Sequence, residues 1–251
     1  MNFQSIKKIK YWIQASRIET LPLSVSGIIV GSFYAFYNYS FDKIIFVLSI
    51  ITAISFQILS NFANDYGDGV LGTDKNRIGP KRVIASGKLT LEELKKGIIV
   101  NVFISITLSY SLIKYSFKND YLFIIIFLFL SIFSILAAIK YTMGKSPYGY
   151  YGFGDIFVFI FFGLLSVFGS YFLQTNSIDY EVFILGSIIG FLCVGVLNLN
   201  NIRDIENDSK MNKTIFQSYT DVINSGTKAG KDMSVAVKRL NHLMSEHKKM
   251  R

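Results

Sequence analysis

The chain has 251 residues and a formal net charge of +9, with 51% of its residues apolar or aromatic and only 17% charged. A soluble domain carries about 25% charged residues, so this composition points away from one, and a single Cys leaves no intramolecular disulfide framework. Both histidines, His242 and His247, fall in the last ten residues, which removes His-ligated zinc or haem and a Ser-His-Asp triad from the apolar body.

In chain order, a basic lead-in with Lys7, Lys8, Lys10 and Arg17 precedes six stretches free of formal charge, at 20–41, 44–64, 97–113, 121–139, 156–178 and 182–202. Each holds 17 to 23 residues, and a helix needs roughly 20 apolar residues to cross the hydrocarbon core. The fold class expected is all-α, a polytopic transmembrane helix bundle with six spans. Segments on the N-terminal side of the membrane carry 23 cationic residues, whereas the opposite loops carry only Lys43, Lys114 and Lys118. By the positive-inside rule the N-terminus is cytoplasmic, in a plasma membrane. The net positive charge then reads as topology and attraction to anionic lipid, with no nucleic-acid partner. Residues 1–215 are expected to form the membrane bundle, and 216–251 a polar basic tail that either is an exposed, partly disordered terminus or carries a short basic helix at Val235–Lys249 lying on the inner leaflet.

Polar residues concentrate where spans end on that inner side. The second span runs into Asn61-Phe-Ala-Asn64-Asp65-Tyr-Gly-Asp68, followed by Gly72 and Asp74. Asn61, Asn64, Asp65 and Asp68 are spaced by three and four and share a helical face, with Gly67 and Gly69 expected to loosen the backbone. The fourth span leads into Tyr141-Thr-Met-Gly-Lys145-Ser-Pro-Tyr148. The sixth ends in Asn200, Arg203, Asp204 and Asp208, the amide and the two acids recurring every four residues. Two acidic helix ends on one membrane side suit a divalent cation. Mg2+ accepts one or two carboxylates, retained waters and substrate phosphates, and Lys81, Arg82, Lys145 and Arg203 are positioned in sequence to bind the phosphates directly.

These blocks resemble the intramembrane aromatic prenyltransferases of the UbiA family. The resemblance rests on Asn64-Asp65-x-x-Asp68-x-x-x-Gly72-x-Asp74, Arg77-Ile-Gly-Pro80-Lys-Arg82, the Tyr141–Tyr148 run, Gly152-x-Gly154-Asp155 and Asn200-Asn201-x-Arg203-Asp204-x-x-x-Asp208, with Arg17-Ile-Glu-Thr-Leu-Pro22 at the entry to the first span. Within that family the chain is most similar to the branch that prenylates 1,4-dihydroxy-2-naphthoate on the way to menaquinone. The resemblance implies polyprenyl diphosphate and dihydroxynaphthoate as substrates and Mg2+ as cofactor. Asn64, Asp65, Asp68, Asp74, Asn200, Asp204 and Asp208 then become the metal set. Arg17, Lys81, Arg82, Lys145 and Arg203 become the diphosphate grip. Asp68, Asp204, Tyr141 and Lys145 become the catalytic group, with Tyr141 beside the developing allylic cation.

The resemblance also implies nine spans where this sequence supplies six, so a second expectation is a C-terminally truncated, inactive remnant that at most binds magnesium and diphosphate. Lost spans would leave apolar faces to lipid or to another copy, an oligomer. A transporter is a third reading, weakened because its acids belong near the bilayer midplane. The Phe-rich stretch 153–172 is expected to line a chain-binding channel or to face lipid.

Overall fold

The computed structural model describes residues 3–38, 40–72, 82–144, 147–151 and 153–209, with side chains for all of these except 3–5, 150, 151 and 203–209. They form α1 (Phe3–Ser16), α2 (Leu21–Tyr37), α3 (Lys43–Leu71), α4 (Leu91–Phe117), α5 (Tyr121–Lys140), α6 (Gly154–Val158), a π-helical stretch (Phe159–Leu165), α7 (Ser166–Thr175) and α8 (Tyr180–Ser209), and the described residues contain no strand. Among the described residues six segments are long and apolar enough to cross a membrane. The chain is a polytopic helical bundle.

Helix starts are set by side chains that satisfy the free N–H groups of the first turn. The Asp42 carboxylate accepts from the amides of Ile44 and Ile45 at the head of α3, Asp120 accepts from Phe123, and Thr90 with Glu93 makes a reciprocal capping box on α4. α3 and α4 pack through a buried polar seam in which Ser55 bonds Asn101 at 3.0 Å and Ser105 at 2.7 Å. Such hydrogen bonds hold helices together where lipid supplies no hydrophobic drive. α2 meets α7 through Gly27 and Gly31, where an added Cβ would collide with Ser166, Val167 and Ser170. The π stretch meets α8 the same way, through Gly163 against Gly186 and Gly190.

Three features differ from the sequence expectation. The lead-in is itself a helix, α1, whose Trp12 packs edge-on against Phe62 of α3 at 5.4 Å. Between Ser16 and Leu21 the chain turns a corner through Arg17, which adopts a left-handed conformation (φ 48°), and a 3₁₀ turn at Ile18–Thr20. Second, α3 stays helical through Gly67 and Gly69 to Leu71, ending at Gly72 with φ 70°. The glycines serve close approach instead of loosening the helix: a Cβ at Gly67 would strike the carbonyl oxygen of Thr142 and one at Gly69 the side chain of Ile84. Third, the 156–178 span is interrupted by the π stretch, a wider turn that recurs in helices near functional sites.

Candidate functional site

The acid-bearing end of α3 meets three other elements. The first is the α1–α2 corner. Asn61, 2% exposed, donates to the Ser16 carbonyl at 2.8 Å and to Thr20 Oγ1 at 3.0 Å. Gln57, one turn earlier, donates to the same Thr20 oxygen at 3.1 Å, and Thr20 donates to the Arg17 carbonyl at 2.9 Å. The second contact involves Asp65, also 2% exposed. Its Oδ1 accepts from Arg17 Nη2 and, at 2.6 Å, from Arg82 Nη1. Arg82 Nη2 also lies 3.8 Å from Asp68 Oδ2. The third is the segment after α5, where Thr142 donates to Asn64 Oδ1 at 3.0 Å. Gly67 permits this approach.

These contacts frame the mouth of a cavity of about 370 Å³. Arg17, Asn61, Asn64, Tyr141 and Asn200 line its polar end, while Ser49, Leu112, Phe127 and Leu173 line it at the far end. Along α3, from Asn64 to Ser49, that is about 22 Å at 1.5 Å per residue. The wall between is built from small and aromatic residues. Four of its hydroxyls turn back on their own helices, Thr52 to Leu48, Ser134 to Leu130, Ser166 to Phe162 and Ser170 to Ser166. These residues offer mainly methylene and methyl surface to the interior, whereas the buried Ser49 hydroxyl has no hydrogen-bond partner. The Phe-rich stretch divides: Phe157, Phe161 and Phe162 line the cavity, Phe153 is exposed, and Phe168 and Phe172 pack in an aromatic cluster with Phe117.

Tyr141 is held by its neighbours. Its ring lies edge-on to Tyr148 at 5.4 Å, its carbonyl accepts from the Gly149 amide at 3.0 Å, and Gly154 leaves room for its hydroxyl. Tyr148 stacks on Phe157 at 4.1 Å and donates to the Ala137 carbonyl at 2.7 Å. Burial first, and Tyr141 second, push the Tyr148 phenol above its ordinary range, so it stays a neutral donor.

Of the residues expected from sequence, Arg17, Asn64, Tyr141 and Asn200 line one cavity, and Asp65, Asp68 and Arg82 form the charged cluster beside its mouth. Asp74, Lys81 and Lys145 lie outside the described residues. Arg203, Asp204 and Asp208 lie on α8, where backbone but not side chains are described. Residues 216–251 are likewise outside. Sequence reasoning missed Thr142, Gln57 and Thr20. Gln57 continues the three-and-four spacing of Asn61 and Asn64 one turn deeper, whereas Thr142 and Thr20 sit inside blocks already singled out, with nothing local to announce their contacts to Asn64 and Asn61.

Among the described residues no three His, Cys, Asp or Glu side chains gather as a metal cage. The donor chemistry still fits Mg2+, which needs few protein ligands. Asn64 presents its carbonyl oxygen at the mouth, oriented by Thr142 and keeping a second lone pair. Asp68 lies one turn on, and Asn200 lines the same cavity from α8.

The sequence pattern of the UbiA prenyltransferase family matches residues 24–221. The chain is 44% identical over 212 residues to a 1,4-dihydroxy-2-naphthoate octaprenyltransferase of Haemophilus influenzae, covering 82% of this chain and 68% of the relative. It is 42% identical over 216 residues to the protein of the same description from Escherichia coli, covering 85% and 69%. A UbiA prenyltransferase domain-containing protein of Dictyostelium discoideum is 30% identical over 210 residues, covering 82% and 62%. No solved structure matches.

Proposed function

Because the chain belongs to the UbiA prenyltransferase family, we propose that it transfers a polyprenyl chain from polyprenyl diphosphate to 1,4-dihydroxy-2-naphthoate, with decarboxylation, in menaquinone biosynthesis. The reading is supported by the names of the two bacterial relatives and carried by one observation. A cavity polar at the end of α3 and apolar along its depth has the shape of a substrate with a charged head and a hydrocarbon tail.

The diphosphate lies at the mouth, met by Arg17 and Arg82 and, from elements beyond the described side chains, by Lys81, Lys145 and Arg203. Asn64, Asp68, Asp74, Asn200, Asp204 and Asp208 hold Mg2+. When bound, Mg2+ neutralises diphosphate oxygens and makes the group a better leaving group. The allylic C–O bond breaks with its electron pair going to diphosphate. Tyr141, which lines the cavity, stabilises the allylic cation by cation–π attraction. The electron-rich naphthoate ring then forms the new C–C bond at the carboxyl-bearing carbon, and loss of CO2 restores aromaticity. The largely apolar wall excludes the water that would divert the cation to a prenyl alcohol. The charge asymmetry supports a mouth on the cytoplasmic side of the plasma membrane.

The test supplies membranes containing the chain with dihydroxynaphthoate, radiolabelled polyprenyl diphosphate and Mg2+, with EDTA as control. A demethylmenaquinol product, recovered as the quinone after oxidation by air during extraction, is expected to disappear with EDTA. Absence of product from a well-inserted chain that still binds pyrophosphate would refute the transfer reading.

A further inference from the structure

Asp65 belongs to the acidic motif, yet its surroundings differ from those of its neighbours. Its carboxylate is 2% exposed, and one oxygen, Oδ1, accepts charge-assisted hydrogen bonds from two guanidiniums, Arg17 Nη2 and Arg82 Nη1. An oxygen that takes two such donors has both its lone pairs engaged. A divalent cation brought to that oxygen would lie against two positive groups. Asn64, the preceding residue, points about 100° away round the helix, lines the cavity and meets Thr142.

One of the two guanidiniums that Asp65 holds is itself built into a constrained position. Arg17 has φ 48°, a left-handed backbone that a non-glycine residue adopts only where its surroundings impose it. Its carbonyl accepts from both the amide and the hydroxyl of Thr20 at 2.9 Å, which fixes the corner from the backbone side. Asp65 fixes it from the side-chain side. With one Nη so occupied, the fork still has other N–H donors, and Arg17 lines the cavity mouth.

We infer that Asp65 is a positioning residue that anchors the Arg17 guanidinium at the cavity mouth for the diphosphate group, with Arg82 balancing its buried charge, and that it is not a metal ligand. The inference rests on the diphosphate reading above. It assigns neighbouring motif residues to different tasks: Asn64 and Asp68 to the cation, Asp65 to the guanidiniums that grip the anion.

The experiment measures binding of inorganic pyrophosphate to the purified full chain in detergent by calorimetry, with EDTA and across a Mg2+ series. Asp65→Asn is expected to weaken pyrophosphate binding about tenfold in both conditions, a loss of about 1.4 kcal/mol, while the Mg2+ concentration for half-maximal effect stays unchanged. Arg17→Gln weakens binding similarly, and the double variant binds no worse than Arg17→Gln alone, because the two side chains act as one unit. Asp65→Glu, which restores the charge, recovers part of the loss. If Asp65→Asn is not recovered as folded protein, Asp65→Glu, which keeps the charge but displaces it from the guanidiniums, gives the same readout with a smaller loss. A raised Mg2+ requirement, unchanged or tighter pyrophosphate binding, or additive losses in the double variant would each overturn this inference alone. A wild-type chain that binds no pyrophosphate would overturn it together with the transferase reading.

Discussion

Asn61→Leu tests whether the corner between α1 and α2 is fastened by a single buried amide. The replacement keeps side-chain volume roughly constant but removes hydrogen bonds to the Ser16 carbonyl at 2.8 Å and to Thr20 Oγ1 at 3.0 Å. It also removes an acceptor that Gln57 uses at 3.3 Å. Each intramolecular hydrogen bond contributes about 0.5–1.5 kcal/mol net, and a buried partner left unsatisfied costs about 1–3 kcal/mol more. With the residue 2% exposed, little water can compensate, and some of the loss is regained by the apolar side chain. The expected net cost is about 2–4 kcal/mol, which lowers the unfolding midpoint by roughly 4–16 °C for a chain of this size. The assay is thermal unfolding in detergent followed by the emission of Trp12, the only tryptophan, which packs on Phe62 next to the substituted position. A midpoint within about 1 °C of wild type, the range of a neutral surface change, with unaltered Trp12 emission would refute the reasoning.

Thr142→Val removes the donor to Asn64 Oδ1 while keeping shape. Transfer activity is expected to need about 2- to 13-fold more Mg2+, the equivalent of 0.5–1.5 kcal/mol, and Thr142→Ser is expected to behave as wild type. Gly67→Val drives a side chain into the Thr142 carbonyl. It is expected to cost about 1–3 kcal/mol as overpacking does, visible as a lowered unfolding midpoint; Gly195→Val, where nothing lies within 4 Å, serves as the tolerated control. Asp68→Asn is expected to abolish turnover while membrane insertion, measured by carbonate extraction, is unchanged; wild-type-like turnover would remove Asp68 from the proposed metal set. Tyr148→Phe forfeits the bond to Ala137 but keeps the stack on Phe157, so activity at neutral pH is expected to fall no more than about tenfold. Because the phenol's pKa lies above its ordinary range, it is neutral across pH 6–9, and the variant's pH–rate profile should parallel that of wild type.

The six spans were legible because a run of about 20 uncharged residues has few alternatives to crossing a bilayer. The three-and-four spacing on α3 was legible for a similar reason, since helical period alone decides which residues share a face. What escaped the sequence was set by contacts between remote positions. Arg17 and Arg82 meet at Asp65 across separations of 48 and 17 residues, and neither residue's local sequence announces the meeting. The left-handed corner falls on an arginine, where the usual glycine signal is missing. Gly67 could be read as flexibility or as close packing, and only the Thr142 carbonyl opposite decides for packing. The π stretch left no trace in a segment that is uniformly apolar. The split of the phenylalanines between cavity, cluster and membrane also depends on how helices rotate against one another.

The last turns of α3 show how a short motif can serve several partners without flexible loops. At about 100° per residue, Asn61, Asn64, Asp65 and Asp68 occupy roughly 100° of the helix circumference. Asp65 stands at one edge of that arc and faces the arginines; Asn64 stands at the other and faces Thr142 and the cavity; Asn61 and Asp68 lie between them, a turn or two apart along the axis. All four groups ride on one helix, so any rotation of that helix would move them together. That rotation is limited on one side by the Asn61 clamp and on the other by the contact of Gly67 with Thr142. Rigidity at the mouth therefore comes from the fastening of α3 itself. Variants that release either fastening should impair anion and cation binding together, whereas Asp65→Asn, which leaves both intact, should separate them.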